Sequence, residues 1–153
     1  MKQQRSTVMV VDDNPLNLSL MEAMLVPAGY SVTLYDSGEK CIAAVPRDAP
    51  DIILLDARMP KLDGYQVVRQ LKSDEATRRI PVVMVTSLVE VASRVEAIEA
   101  GADALLSKPV ATVELLARIR ALVKARAYNV QYVETVVSEY CSTCRKTQNS
   151  TAV

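Results

Sequence analysis

Residues 7–15 read Thr7-Val8-Met9-Val10-Val11-Asp12-Asp13-Asn14-Pro15. A short apolar, largely β-branched run stops on two acids, and a helix-start signal follows at once. Asn14-Pro15 suits an N-cap with proline in the first helical turn. A continuous apolar run of this length, bounded by turn residues, suits a strand buried on both faces. The stretch therefore predicts a buried strand, acids at its carboxyl end, and a helix.

The same unit recurs along the chain. Apolar runs lie at Thr7–Val11, Ser31–Tyr35, Ile52–Leu55, Pro81–Val85 and Ala104–Leu106. Amphipathic segments separate them at Pro15–Ala28, Gly38–Val45, Gly64–Ser73, Val91–Ala100 and from Thr112 onward. Strict alternation predicts an α/β fold, a doubly wound five-stranded parallel sheet with helices on both faces. Gly29 and Gly101 each follow a helical segment, where positive φ commonly ends a helix. Pro50 and Pro81 stand at strand starts, where a missing N–H is tolerated. Met21 and Met24 read as core, Tyr35 and Tyr65 as packing residues, and Asp63 as a turn or helix cap.

Composition narrows the chemistry. With 153 residues one domain is expected. Lys and Arg balance Asp and Glu at 18 each, and no basic stripe stands out, so nothing in the composition points to nucleic acid or a membrane surface. No apolar run approaches a bilayer span. The first residues lack the apolar stretch of a secretory signal, which makes the cytoplasm the expected location. Cys41, Cys141 and Cys144, an odd number, do not suggest a disulfide framework. The sequence has no histidine, which excludes histidine-dependent triads, histidine metal ligands and a phosphohistidine carrier. Carboxylates, hydroxyls and lysines must do any chemistry.

In open parallel sheets ligands bind at the carboxyl ends of the strands. Asp12 and Asp13 follow the first run, Asp56 the third, Thr86 (with Ser87 beside it) the fourth, and Lys108 the fifth. Crowded carboxylates raise one another's pKa unless neutralised. An oxygen-only ligand set suits a hard cation, and Mg²⁺ keeps waters beside one or two carboxylates and a phosphate. Three acids, one lysine and one divalent cation balance in formal charge. Metal, lysine and hydroxyl could then stabilise an incoming phosphoryl group, with a carboxylate as nucleophile. Asp12 and Asp13 are adjacent and natural metal partners. Asp56 stands alone before Met59-Pro60 and Asp63-Gly64, and is chosen as the acceptor.

These motifs carry a resemblance. Val10-Val11-Asp12-Asp13-Asn14, Leu54-Leu55-Asp56 with Met59-Pro60 and Asp63-Gly64, Val85-Thr86-Ser87, Gly101-Ala102 and Lys108-Pro109 resemble the response-regulator receiver family over about residues 5–126. The resemblance implies a flavodoxin-like sheet of strand order 2-1-3-4-5 and phosphorylation of Asp56 by a sensor histidine kinase. It implies Mg²⁺ held by Asp13, Asp56 and the backbone carbonyl of Arg58, with Asp12 acting partly through metal-bound water. Thr86 would bind the phosphoryl group and Lys108 would pair with it. Movement of Thr86 would reposition the fourth helix and fifth strand. Asp12–Leu20, Val85–Leu88 and the helix through Leu115–Arg126 are similar to receivers fused to cyclic-di-GMP enzymes.

Two positions depart from the family pattern. The usual aromatic switch residue is Leu105, so an aromatic rotamer cannot couple the site to the surface in the usual form. Arg58, two after Asp56, lies near the family's path of hydrolytic water and is expected to alter phosphoryl lifetime. A receiver-like interaction module that takes no phosphate is the alternative. A haloacid-dehalogenase-type phosphatase would need a second Asp where Arg58 stands. Direct DNA binding has no support.

The end of the chain reads differently. After Pro109 no Gly or Pro occurs, and apolar residues recur at Ile119, Val123, Val130, Val133, Val137, Tyr140 and Cys144. That heptad-like seam predicts a receiver over 1–126 and a helical extension over 127–153. The helix is expected to project and form a homodimer, with Thr147–Val153 disordered. The expectation is either that an output domain is absent or removed, or that the extension is itself the output. Cys141-Ser142-Thr143-Cys144 has metal or redox spacing but lacks a second ligand pair.

Overall fold

The computed structural model describes residues 5–87 and 91–127. Five strands and the intervening helices alternate: β1 (Thr7–Val11), α1 (Pro15–Leu25), β2 (Ser31–Tyr35), α2 (Gly38–Asp48), β3 (Ile52–Asp56), α3 (Gly64–Ser73), β4 (Val82–Thr86), α4 (Val91–Ala100) and β5 (Ala104–Ser107). A further helix, α5, runs over residues 112–127. All strand pairs are parallel, in the order β2-β1-β3-β4-β5. This is the doubly wound parallel sheet that the alternation predicts, in the flavodoxin-like order that the resemblance implies.

The central strands bury both faces, and their side chains alternate between two cores. Val8, Val10, Leu54, Val83 and Leu106 pack with Met21 and Leu25 of α1 and Leu115 and Ile119 of α5. Met9, Val11, Leu55 and Met84 pack on the other face with Cys41, Val67, Leu71 and Ala97 of α2, α3 and α4. The edge strands differ from the sequence expectation: β2 is nowhere fully buried, and β5 is so only at Leu106. An edge strand has one neighbour, so flanking helices cover it less completely. Tyr65 is buried as expected. Tyr35 packs half-buried against the same core and also hydrogen-bonds Asp48 through its hydroxyl.

Two helix ends also differ. α1 stops at Leu25 rather than Ala28, because Pro27 has no N–H to extend the ladder. α2 runs through Pro46 to Asp48 rather than ending at Val45. Proline removes one N–H without stopping this last turn, and Ala49 ends it in the left-handed region at φ 44°.

By internal contacts the chain divides into Met1–Val123 and Lys124–Val153. Ile119 is fully buried and Val123 packs beside it, so the first two positions of the heptad seam serve the domain's own core. The remaining seam positions, Val130, Val133, Val137, Tyr140 and Cys144, lie outside the described residues, as do Leu88, Cys141 and Thr147–Val153.

Candidate functional site

Parallel strands bring their carboxyl ends to one edge, and the polar residues after β1, β3, β4 and β5 meet there. Asp12 N–H donates to the Tyr35 carbonyl at 3.1 Å, which carries β1 pairing one residue past the strand. Its Oδ1 accepts from Asn14 N–H at 2.9 Å, and Asn14 caps α1 by accepting from Leu16 N–H. The first acid is therefore fixed by the turn it initiates. Asp56 is the last residue of β3 and pairs with Val85 of β4. Lys108 follows β5; its N–H donates to the Thr86 carbonyl at 2.9 Å, and its peptide bond to Pro109 is cis.

The lysine ammonium bridges two acids, 3.2 Å from Asp12 Oδ2 and 3.3 Å from Asp56 Oδ1. Asp12 and Thr86 are buried, while Asp13 is exposed at the rim. Burial, and then the Asp12 charge, push the Asp56 carboxyl above its ordinary value. Lys108 and the Arg58 N–H offset only part of that rise. Burial alone would lower the Lys108 pKa, but the two carboxylates outweigh it and raise it.

One carboxylate oxygen each from Asp12, Asp13 and Asp56 lies within 4.8 Å of the others. Oxygens on opposite sides of an octahedral Mg²⁺ stand roughly 4.2 Å apart. The cluster therefore suits one small hard cation. Lys108 leaves a formal charge of about −2, which a divalent ion neutralises.

Gly64 shapes the acceptor from behind. A Cβ there would lie 2.3 Å from the Asp56 carbonyl oxygen and 2.9 Å from Ala57 Cα. Its N–H donates to the Ala57 carbonyl at 3.0 Å, so the start of α3 rests on the acceptor's backbone. Asp63 caps α3 in a reciprocal pair with Gln66. Asp63, expected as a turn or helix cap, is the cap; the close approach of Gly64 is not foreshadowed by that expectation. The only local signal was a glycine directly after a good N-cap residue, where a helix former would serve better.

A cleft of about 560 Å³ opens beside the acceptor, lined by Asp13, Arg58, Met59, Asp63, Ser93 and Glu96 among others. It leaves solvent access to the acid cluster. Of the predicted residues, the structure brings together Asp12, Asp13, Asp56 and Lys108 and sets Thr86 and Arg58 next to them. Leu105 lies apart, half-buried in a separate cleft with Ala97 and Ile98.

A fold with acids, hydroxyl and lysine on one sheet edge defines a class, and comparison with known proteins names it. The family model of the response regulator receiver domain matches residues 8–120, and the chain belongs to that family. Response regulator PleD of Caulobacter vibrioides is 44% identical over 117 residues, covering 76% of this chain and 26% of that protein. RpaA of Synechocystis, a DNA-binding dual master transcriptional regulator, is 38% identical, covering 76% of this chain and 48% of its own length. The chain thus spans a quarter to a half of the length of these curated relatives. The receiver domain of sensor histidine kinase PA1611 from Pseudomonas aeruginosa has magnesium in its active-site cleft. It superposes with TM-score 0.74 at 33% identity, covering 79% of this chain and 99% of that one. This chain is a receiver of the two-component response-regulator type, and no helix among the described residues is long and apolar enough to cross a membrane.

Proposed function

We propose that the chain is a phosphorylation-controlled switch in which Asp56 takes a phosphoryl group in a Mg²⁺-dependent reaction. The observation that carries this is the Lys108 ammonium seated between Asp12 and Asp56, with Asp13 completing the acid cluster. An oxygen of Asp56 attacks phosphorus, the donor's leaving group departs, and an acyl phosphate forms. Lys108 then exchanges its bond to the Asp56 carboxylate for one to a phosphoryl oxygen, and the Thr86 hydroxyl takes another. Asp13, Asp56 and the Arg58 carbonyl would hold Mg²⁺ with Asp12 in support, and the ion would supply charge neutralisation. Catalysis is limited to the domain's own phosphorylation and dephosphorylation.

The wider reading follows from the family. The donor is a sensor histidine kinase, and the location is cytoplasmic. The receiver spans 1–126, and the extension over 127–153 joins two copies into a homodimer. Incubation with a small phosphodonor and Mg²⁺, then hydroxylamine treatment and peptide mapping, tests the acceptor. Hydroxylamine-labile phosphate on the peptide containing Asp56 is expected. Stable phosphate on a serine or threonine would refute it, and no phosphate from any donor would favour an interaction module without phosphorylation.

A further inference from the structure

Two cation–anion pairs of unequal quality join α3 to the α4 region. Arg69 and Glu96 approach only to 3.7 Å, each about half exposed, with Glu96 at mid-helix lining the cleft beside the acids. At the opposite edge of the sheet, the Lys72 ammonium donates to the Asp103 carboxylate at 2.9 Å, the Ile80 carbonyl at 2.9 Å and the Arg78 carbonyl at 3.1 Å. The Lys72 side chain is 18% exposed and that of Asp103 36%, so the strength of this anchor lies in three bonds on one ammonium, of which the one to the Ile80 carbonyl is the most sheltered. Asp103 in turn brackets the first residue of β4. Its carboxylate accepts from Val82 N–H at 2.8 Å, and its own N–H donates to the Val82 carbonyl at 2.9 Å.

The end of α4 is built onto this anchor. Gly101 N–H donates to Ile98 and Ala102 N–H to Ala97, which closes the helix in a Schellman turn. Gly101 has φ +105°, and a Cβ there would lie 3.0 Å from Lys72 Cγ. The other half of α4 presents Ser93 and Glu96 to the cleft beside the acceptor. One end of the helix thus faces the chemistry, and the other is fastened to β4, β5 and α3.

From this asymmetry we infer that Lys72 is a positioning residue. It pins the α4–β5 turn, so that displacement of α4 on occupation of the acidic site is confined to the half facing the cleft. The inference rests on the proposed switch. It assigns a regulatory role to a lysine that touches neither phosphate nor metal. An exposed pair like Arg69–Glu96 cannot hold the helix alone, because exposed pairs are weak and salt-screened.

Hydrogen exchange of the full chain with and without Mg²⁺ and beryllofluoride tests it, with binding followed separately by fluorine NMR. In the parent, beryllofluoride is expected to change exchange in peptides covering 92–96 and to leave 97–103 within about twofold. In Lys72→Met the beryllofluoride-dependent change should spread to 97–103 by roughly tenfold or more, and Lys72→Arg should restore confinement. A merely structural lysine would raise exchange equally in both states, which would overturn the inference. A parent response already spanning 97–103, or none despite binding, would also overturn it. Asp103→Asn offers the same readout if Lys72→Met does not fold. Absence of beryllofluoride binding in the parent would overturn the site reading itself, and the pivot with it.

Discussion

Replacing Gly64 with alanine should damage the acceptor without touching any charged group. The added Cβ would stand 2.3 Å from the Asp56 carbonyl oxygen, whereas ordinary contact begins near 3.4 Å. Both nearest groups are backbone, so no side chain can swing aside. Either α3 retreats by about 1 Å or the end of β3 does. Retreat stretches the Gly64–Ala57 hydrogen bond, now 3.0 Å, beyond useful length. Overpacking costs roughly 1–3 kcal/mol and the lost bond about 1 kcal/mol. Better helix propensity returns at most about 1 kcal/mol. The net expectation is a loss of about 2 kcal/mol in urea unfolding, roughly 6–8 °C in Tm for a domain of this size. A shift of the acceptor by about 1 Å should also slow phosphorylation by roughly 100-fold. Gly101→Ala is the control: positive φ predicts a loss of about 1–2 kcal/mol, with phosphorylation of the folded protein preserved. If Gly64→Ala unfolds within about 0.5 kcal/mol of the parent and accepts phosphate at the parent rate, the reasoning fails.

Four further outcomes are expected. Asp56→Asn should raise Tm at neutral pH without metal. The folded carboxyl pKa lies above its unfolded value, so stability falls as pH rises from about 3.8 through the folded pKa; a gain from the variant that persists below both values would contradict this. Lys108→Met should leave two carboxylates uncompensated at a cost of up to about 3 kcal/mol, partly recovered by Mg²⁺. The lysine's own contribution, from a raised pKa, should persist at neutral pH and fade only as alkaline pH passes the folded value in a Tm titration. Arg58→Asn should change the dephosphorylation rate several-fold, and an unchanged rate would remove Arg58 from any role in phosphoryl lifetime. Deleting Tyr128–Val153 should convert a dimer into a monomer by light scattering; unchanged mass would place the contact elsewhere.

The sequence made the sheet legible because each buried run, such as Ile52–Leu55, carries its own stop signals. The site was legible for the same reason: Asp12, Asp56, Thr86 and Lys108 each end or follow a strand, and parallel topology brings such ends together. Contacts set by distant partners were hidden. Gly64 looked like turn punctuation because the atoms that forbid a side chain belong to another element. Lys72 carries no local signal of its role, because Ile80 and Asp103 lie 8 and 31 residues away in sequence. The end of α2 beyond Val45 has a local reason, since a proline in the last turn removes one N–H without ending the helix.

Intact mass after incubation with acetyl phosphate and Mg²⁺ tests the central claim most directly, run beside Asp56→Asn and a metal-free sample. The account predicts one phosphoryl adduct in the parent and none in either control. An adduct that survives in Asp56→Asn, or forms equally well without metal, would contradict it.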